Sequence, residues 1–231
     1  MKRSFTIVLI AVMSMLIALP ASSQIFGIGV KGGLNFATLR GDFILDVDEF
    51  PIDADLKNST GFIIGASFRT SLLPFISLQP EILYTEKGAK FEESMMIPVN
   101  GTTANAAVEA TIDLKYLEVP LLVRAGLPVP GFSPFVYLGP AIAFNLSADF
   151  TMEASVMGFS MKESEDIKDE IKNIDYGLVV GGGLEFGLPL FKLHVEARYT
   201  MGLTNVVDNG DMNGDIDLKN GVFSLMVGAT F

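Results

Sequence analysis

From Phe26 onward the chain alternates apolar with small or polar residues. Phe26, Ile28, Val30, Leu34 and Phe36 share one parity, while Gly27, Gly29, Lys31, Gly33 and Asn35 hold the other. A period of two is the mark of a β-strand with one apolar face. The pattern returns over about 60–72, where Phe62, Ile64, Ala66 and Phe68 oppose Gly61, Gly65, Ser67 and Arg69, and over 76–87, where Ile76, Leu78, Ile82 and Tyr84 oppose Gln79, Glu81, Thr85 and Lys87. Over about 111–124, Leu117, Val119, Leu121 and Val123 oppose Tyr116, Glu118 and Arg124; over 135–147, Val136, Leu138, Ile142, Phe144 and Leu146 oppose Tyr137, Gly139, Ala141, Ala143, Asn145 and Ser147. Segments 176–186, 191–203 and about 221–231 complete the series. The pattern predicts eight strands.

Links between these segments differ in length. Leu73-Pro74, Gly187 to Leu190 and Ala125 to Ser133 are short, whereas 37–59, 92–109, 148–175 and 205–219 are long. Short connections on one rim and long ones on the other describe an all-β, eight-stranded antiparallel up-and-down transmembrane β-barrel, with short periplasmic turns and long acidic extracellular loops. In the third long link, Ile167, Ile171 and Ile174 fall at helical spacing behind Ser160 and Glu163, which predicts a short amphipathic helix over the barrel mouth, entered through a capping box.

The position of the charges separates a membrane barrel from a soluble one. A soluble barrel carries its charges outside; here the apolar parity is nearly free of charge, and the opposite parity holds Lys31, Arg69, Glu81, Glu118, Arg124, Glu185, Glu196 and Arg198. Four acids and four bases in a narrow interior must pair, because an unpartnered buried charge is costly. They are expected to form a lumen charge network that fills and stiffens the barrel. The long links carry net charges of −4, −3, −5 and −3, so the acidity of the chain gathers on one rim. Residues 1–23 read as a signal peptide: Lys2 and Arg3, an uncharged stretch from Phe5 to Leu19, then Ala21 and Ser23. Residues 24–231 form the expected barrel domain, and Phe231, an aromatic on the lipid parity, is the expected assembly signal.

Composition narrows the chemistry. The 231 residues carry a formal charge of −11 and include no Cys and one His. There is accordingly no disulfide, no thiolate metal site and no thiol nucleophile, and an acidic surface does not suit nucleic acid. His194 is the one imidazole available for acyl-transfer chemistry. Its parity turns it into the lumen near the short-turn rim, whereas lipid A lies in the outer leaflet at the opposite end. Asp211, Asn213, Asp215 and Asp217 alternate as calcium ligands do, but Ile216 stands where an EF-hand loop needs Gly and no Glu follows at the twelfth position. Gly181-Gly182-Gly183 lies within a strand, with no helix after it to make a nucleotide loop. No catalytic, metal or cofactor site emerges.

Several short stretches resemble a known family. Leu78-Gln79-Pro80-Glu81-Ile82-Leu83-Tyr84 with Lys87-Gly88, Tyr116-Leu117-Glu118-Val119-Pro120-Leu121-Leu122, Gly139-Pro140, and Arg198-Tyr199 followed by Gly202-Leu203-Thr204-Asn205 are similar to the PorT-type outer-membrane β-barrel family of Bacteroidetes. The resemblance implies an eight-stranded barrel whose founding member serves type IX secretion and gliding, and it brings no catalytic residue. The partners to expect are outer-membrane lipid and lipopolysaccharide, the barrel-insertion machinery, and secretion or surface proteins. The function to expect is a non-enzymatic interaction or structural component; a small-solute porin-like channel is the alternative, and a lipid A-modifying enzyme a distant one.

Overall fold

A computed structural model describes residues 26–40, 57–99, 102–127, 129–156, 159–206 and 218–231. The expected signal peptide and the Asp211 to Asp217 run lie outside these residues. Nine strands are described: β1 Phe26–Arg40, β2 Lys57–Leu73, β3 Ile76–Val99, β4 Thr102–Gly126, β5 Ser133–Val156, β6 Phe159–Asp166, β7 Ile174–Gly187, β8 Lys192–Gly202 and β9 Lys219–Thr230. All pairings are antiparallel, and eight strands close into a ring in which β9 returns to β1 and β4 pairs β5. Closure leaves the ring without an edge, as a sheet surrounded by lipid requires. β6 stands outside the ring and pairs β5 alone.

Two expectations about the long links need correction. The second link is two strands rather than a loop, because β3 and β4 remain paired from Ile76↔Ala125 to Val99↔Thr102. In the third link the expected amphipathic helix is absent. Ser160 pairs Ser155 and Glu163 pairs Met152, so both capping-box residues belong to the β5–β6 ladder, and only Lys168–Glu170 turn, as a single 3₁₀ helix. The reason is non-local: β4 extends far past the barrel, β5 pairs it up to Ala106↔Val156, and the free edge of β5 then captures β6. Ladder hydrogen bonds already on offer outweigh an isolated helix of marginal length. Ile171 is nonetheless buried, and Ile167 packs against the same cluster.

A bulge corrects one parity. Lys115 pairs Ser147 while Tyr116 pairs Asn145, so Leu146 is an extra residue on β5. An extra residue reverses the alternation beyond it. Ser147, expected on the lumen side with Asn145, therefore lies on the outer side with Lys115, and Ala148 turns inward and is buried.

The outer surface is apolar. Ile28, Val30, Leu34, Ile64, Val136, Leu138, Val180, Val195, Leu225 and Val227 are each about half exposed or more, the inverse of a water-soluble barrel. Aromatic residues bound this band. Toward the long-link rim lie Phe36 and Phe223, 6.4 Å apart, with Tyr199 beside them, and Phe62 against Tyr84 at 5.3 Å. Toward the short-turn rim lie Phe26, Phe75, Phe186, and the pair Phe191 and Phe231 at 5.9 Å. Ten residue steps separate Phe26 from Phe36 on β1; at about 3.3 Å per residue and a tilt of about 40° they span roughly 25 Å, the height of the apolar band of an outer-membrane barrel. Beyond Tyr84 and Leu117 the outer face changes abruptly to Glu86, Lys115, Asp113, Lys90 and Glu109. The β3–β6 extension thus stands clear of the band as a charged sheet.

Candidate functional site

The interior of an eight-stranded barrel is just wide enough for side chains to fill, and here charged ones fill it. Each arrives on the inward parity of its strand, and the cross-strand register sets its height. At mid-barrel the Lys31 ammonium donates to Glu81 Oε1 and Glu196 Oε1, both at 2.6 Å. Arg198 Nη2 donates to Glu81 Oε2 at 2.6 Å and lies 3.9 Å from Glu196 Oε1; its Nε donates to the Tyr137 hydroxyl at 3.2 Å. Gln79 Nε2 donates to Glu81 Oε1 at 2.7 Å. The four charged side chains of this layer are at most 1% exposed, so no water screens them.

Nearer the short turns, Arg69 Nη1 and Arg124 Nη2 both donate to Glu185 Oε2, at 2.7 and 3.0 Å. The Arg124 guanidinium lies 3.9 Å over the Phe135 ring, which stacks on Tyr137 and meets His194 edge-on. Nearer the long links, Lys87 reaches Glu118 at 2.8 Å and Asp175 at 3.9 Å with its ammonium over the Tyr116 ring, and Asn220 Nδ2 donates to Asp175 Oδ2 at 2.9 Å. Above this layer Leu39, Leu114, Ala148, Ile171, Val206 and Leu218 form an apolar plug. Gly181 makes one close approach possible, since a Cβ there would meet the Tyr137 hydroxyl and the Ala197 carbonyl oxygen, each at 2.6 Å.

The structure brings all eight sequence-derived charges into these layers, as two separate sets and a third pair. Lys31, Glu81, Glu196 and Arg198 form one; Arg69, Arg124 and Glu185 the second; Glu118 stands apart with Lys87. Two members escaped the sequence reading. Lys87 has the inward parity of its strand, in phase with Glu81 and Thr85, and that is the signal that marks it. Asp175 fell at the end of a long link, where no alternation marked it. With both included, five acids face five bases and the lumen is neutral: the short-turn layer carries one extra positive charge and the long-link layer one extra negative. His194 is buried, and its Nδ1 makes no hydrogen bond to another described residue. No group of three or more His, Asp or Glu side chains among the described residues could hold a metal ion. Phe231 is 69% exposed, and its backbone N–H and carbonyl pair with Ile28.

An inside-out closed barrel with charged contents has a recognisable relationship in sequence: the family model described as "Outer membrane protein beta-barrel domain" matches residues 21–208. The chain belongs to this family. It is a protein of the cell outer membrane. No curated protein matches the sequence. Among solved structures it is similar to Ail, the attachment invasion locus protein of Yersinia pestis (15% identity over 90% of this chain and 100% of that one, TM-score 0.36). It is also similar to OprG from Pseudomonas aeruginosa (13%, 90% and 97%, TM-score 0.40) and to the outer membrane protease OmpT from Escherichia coli (12%, 93% and 98%, TM-score 0.38).

Proposed function

We propose that this barrel performs no reaction and conducts no solute, and that it serves as a closed outer-membrane scaffold for a surface or secretion-associated assembly. The observation that carries the reading is the mid-barrel layer, where Lys31, Glu81, Glu196 and Arg198 close the lumen with ion pairs of 2.6 Å and no exposed charge. A solute pathway would need those groups to hold water instead of one another. The burial of His194 near the short-turn rim, away from the outer leaflet that holds lipid A, speaks against acyl-transfer chemistry, and the PorT-type resemblance supports a secretion-associated role. In this reading the short turns face the periplasm and the charged β3–β6 sheet faces outward to lipopolysaccharide and protein partners. Phe231, exposed on the lipid side, serves assembly; Phe231→Ala should lower the yield of folded barrel. Planar-bilayer recording on refolded protein tests the closed lumen, with no stable conductance expected; reproducible ohmic steps would put the channel reading in its place. Crosslinking in native membranes followed by co-purification tests the assembly, through capture of secretion or surface proteins by the β3–β6 sheet.

A further inference from the structure

The short-turn rim has an unusual chemistry. Its three turns read Leu72-Leu73-Pro74-Phe75, Leu127-Pro128-Val129-Pro130-Gly131-Phe132 and Leu188-Pro189-Leu190-Phe191, with no charged residue in any of them. Turns that project into water are ordinarily polar, because their backbone bends suit Asn, Asp, Ser and Gly and their side chains meet solvent. Here Leu72, Leu73, Phe75, Leu127 and Leu188 are about half exposed or more, and Leu190 is 85% exposed. Together they set a ring of exposed apolar side chains on all three turns.

We infer that this rim is seated in the phospholipid leaflet beneath it, so that the turns occupy the headgroup and upper acyl region rather than the aqueous phase. Three observations favour lipid as the occupant. The ring is continuous with the lipid-facing band, since Leu72 and Phe75 flank the apolar outer residues of β2 and β3, and Leu188 and Leu190 those of β7 and β8. It recurs on all three short turns, β2–β3, β4–β5 and β7–β8, instead of forming a one-sided patch. The charges nearest to it are net positive: Arg69, Arg124 and Glu185 lie just inside, and Lys192, with a side chain 58% exposed, reaches Glu185 at 3.7 Å. Lys192 shares the lumen parity of His194, so its exposed ammonium stands at the lumen mouth beside the β7–β8 turn, where a cation suits phosphate headgroups.

Because the chain contains no Trp, Leu190→Trp places a single reporter on the rim. In the full chain refolded into phosphatidylglycerol-containing vesicles, its emission should be quenched by lipids brominated near the headgroup end of the acyl chain and hardly at all by aqueous iodide. Met161→Trp, on the exposed face of β6, should show the opposite pattern. Iodide quenching at position 190 without bromolipid quenching overturns the proposal. So does a reporter shielded in native membranes but open to iodide in pure lipid, which would assign the rim to a protein partner. Leu73→Trp on the neighbouring turn gives the same reading should the first variant fail to fold.

Discussion

Two of the molecule's ion-pair networks have nearly equal geometry in opposite surroundings. In the lumen Lys31 bridges Glu81 and Glu196 at 2.6 Å; on the extension Lys90 bridges Glu92 and Glu109 at 2.8 and 2.9 Å. The lumen side chains are at most 1% exposed, whereas those of the extension are 31 to 41% exposed. Distance therefore does not rank them. Within the lumen each charge has lost its hydration and has only its partners in exchange, so losing one partner leaves the full desolvation cost standing. On the extension water takes over when a partner leaves. The lumen network is therefore the structural one, and that of the extension is part of a solvated face.

The largest effect should come from Arg198→Ala, which strips Glu81 and Glu196 of a shared cation. A loss of about 3–5 kcal/mol is expected, read as a fall in the unfolding midpoint of detergent-folded protein. A midpoint equal to that of the parent would mean that the layer is hydrated, and the contrast between the two networks would fail. Next comes Gly181→Val, which forces Tyr137 away from the Arg198 Nε; overpacking of this kind costs about 1–3 kcal/mol. It should lower the midpoint while leaving the charge count intact, thereby separating packing from electrostatics.

Lys90→Ala should cost well under about 1 kcal/mol, because exposed pairs are weak. Raising the salt concentration should erase even that difference and leave the Arg198→Ala loss almost untouched, since buried pairs are screened much less. Persistence of a Lys90 effect in high salt would show that the extension is closed off from water. The smallest effect belongs to Asp113. It pairs Asp149, which pairs Asp166, so three carboxylates lie side by side across β4, β5 and β6. Partial burial, with Glu86 and Asp149 adding to it, raises the Asp113 carboxyl above its usual range. A carboxyl raised in the folded state disfavours folding once it is charged. Asp113→Asn should therefore stabilise slightly at neutral pH, and the gain should vanish as the pH falls through the carboxylate range. A gain that grows toward acid pH would reverse the sign argued here.

Much of this architecture is written in a local property. Alternation is set residue by residue by the pleat, so a single sequence reveals the eight strands of the ring, the side their residues take up to the Leu146 bulge on β5, and the eight charges that enter the lumen. Partner choice is different, because it depends on register between strands remote in sequence. Glu118 and Arg124 share a strand and a parity, yet Glu118 meets Lys87 and Arg124 meets Glu185. Asp175 joins the lumen only because β7 enters the ring beside β5 at Ala143↔Asp175. The long links show the limit most plainly. Ser160, Glu163, Ile167 and Ile171 satisfy every local rule for a capped helix, but the unpaired edge of β5 supplies backbone partners that no local pattern can announce. Alternation by itself determined what faces lipid and what faces the lumen wherever no bulge shifts the phase, as one does at Leu146. The ring's register and the edges it left open decided which charges meet and how far the sheet rises beyond the membrane.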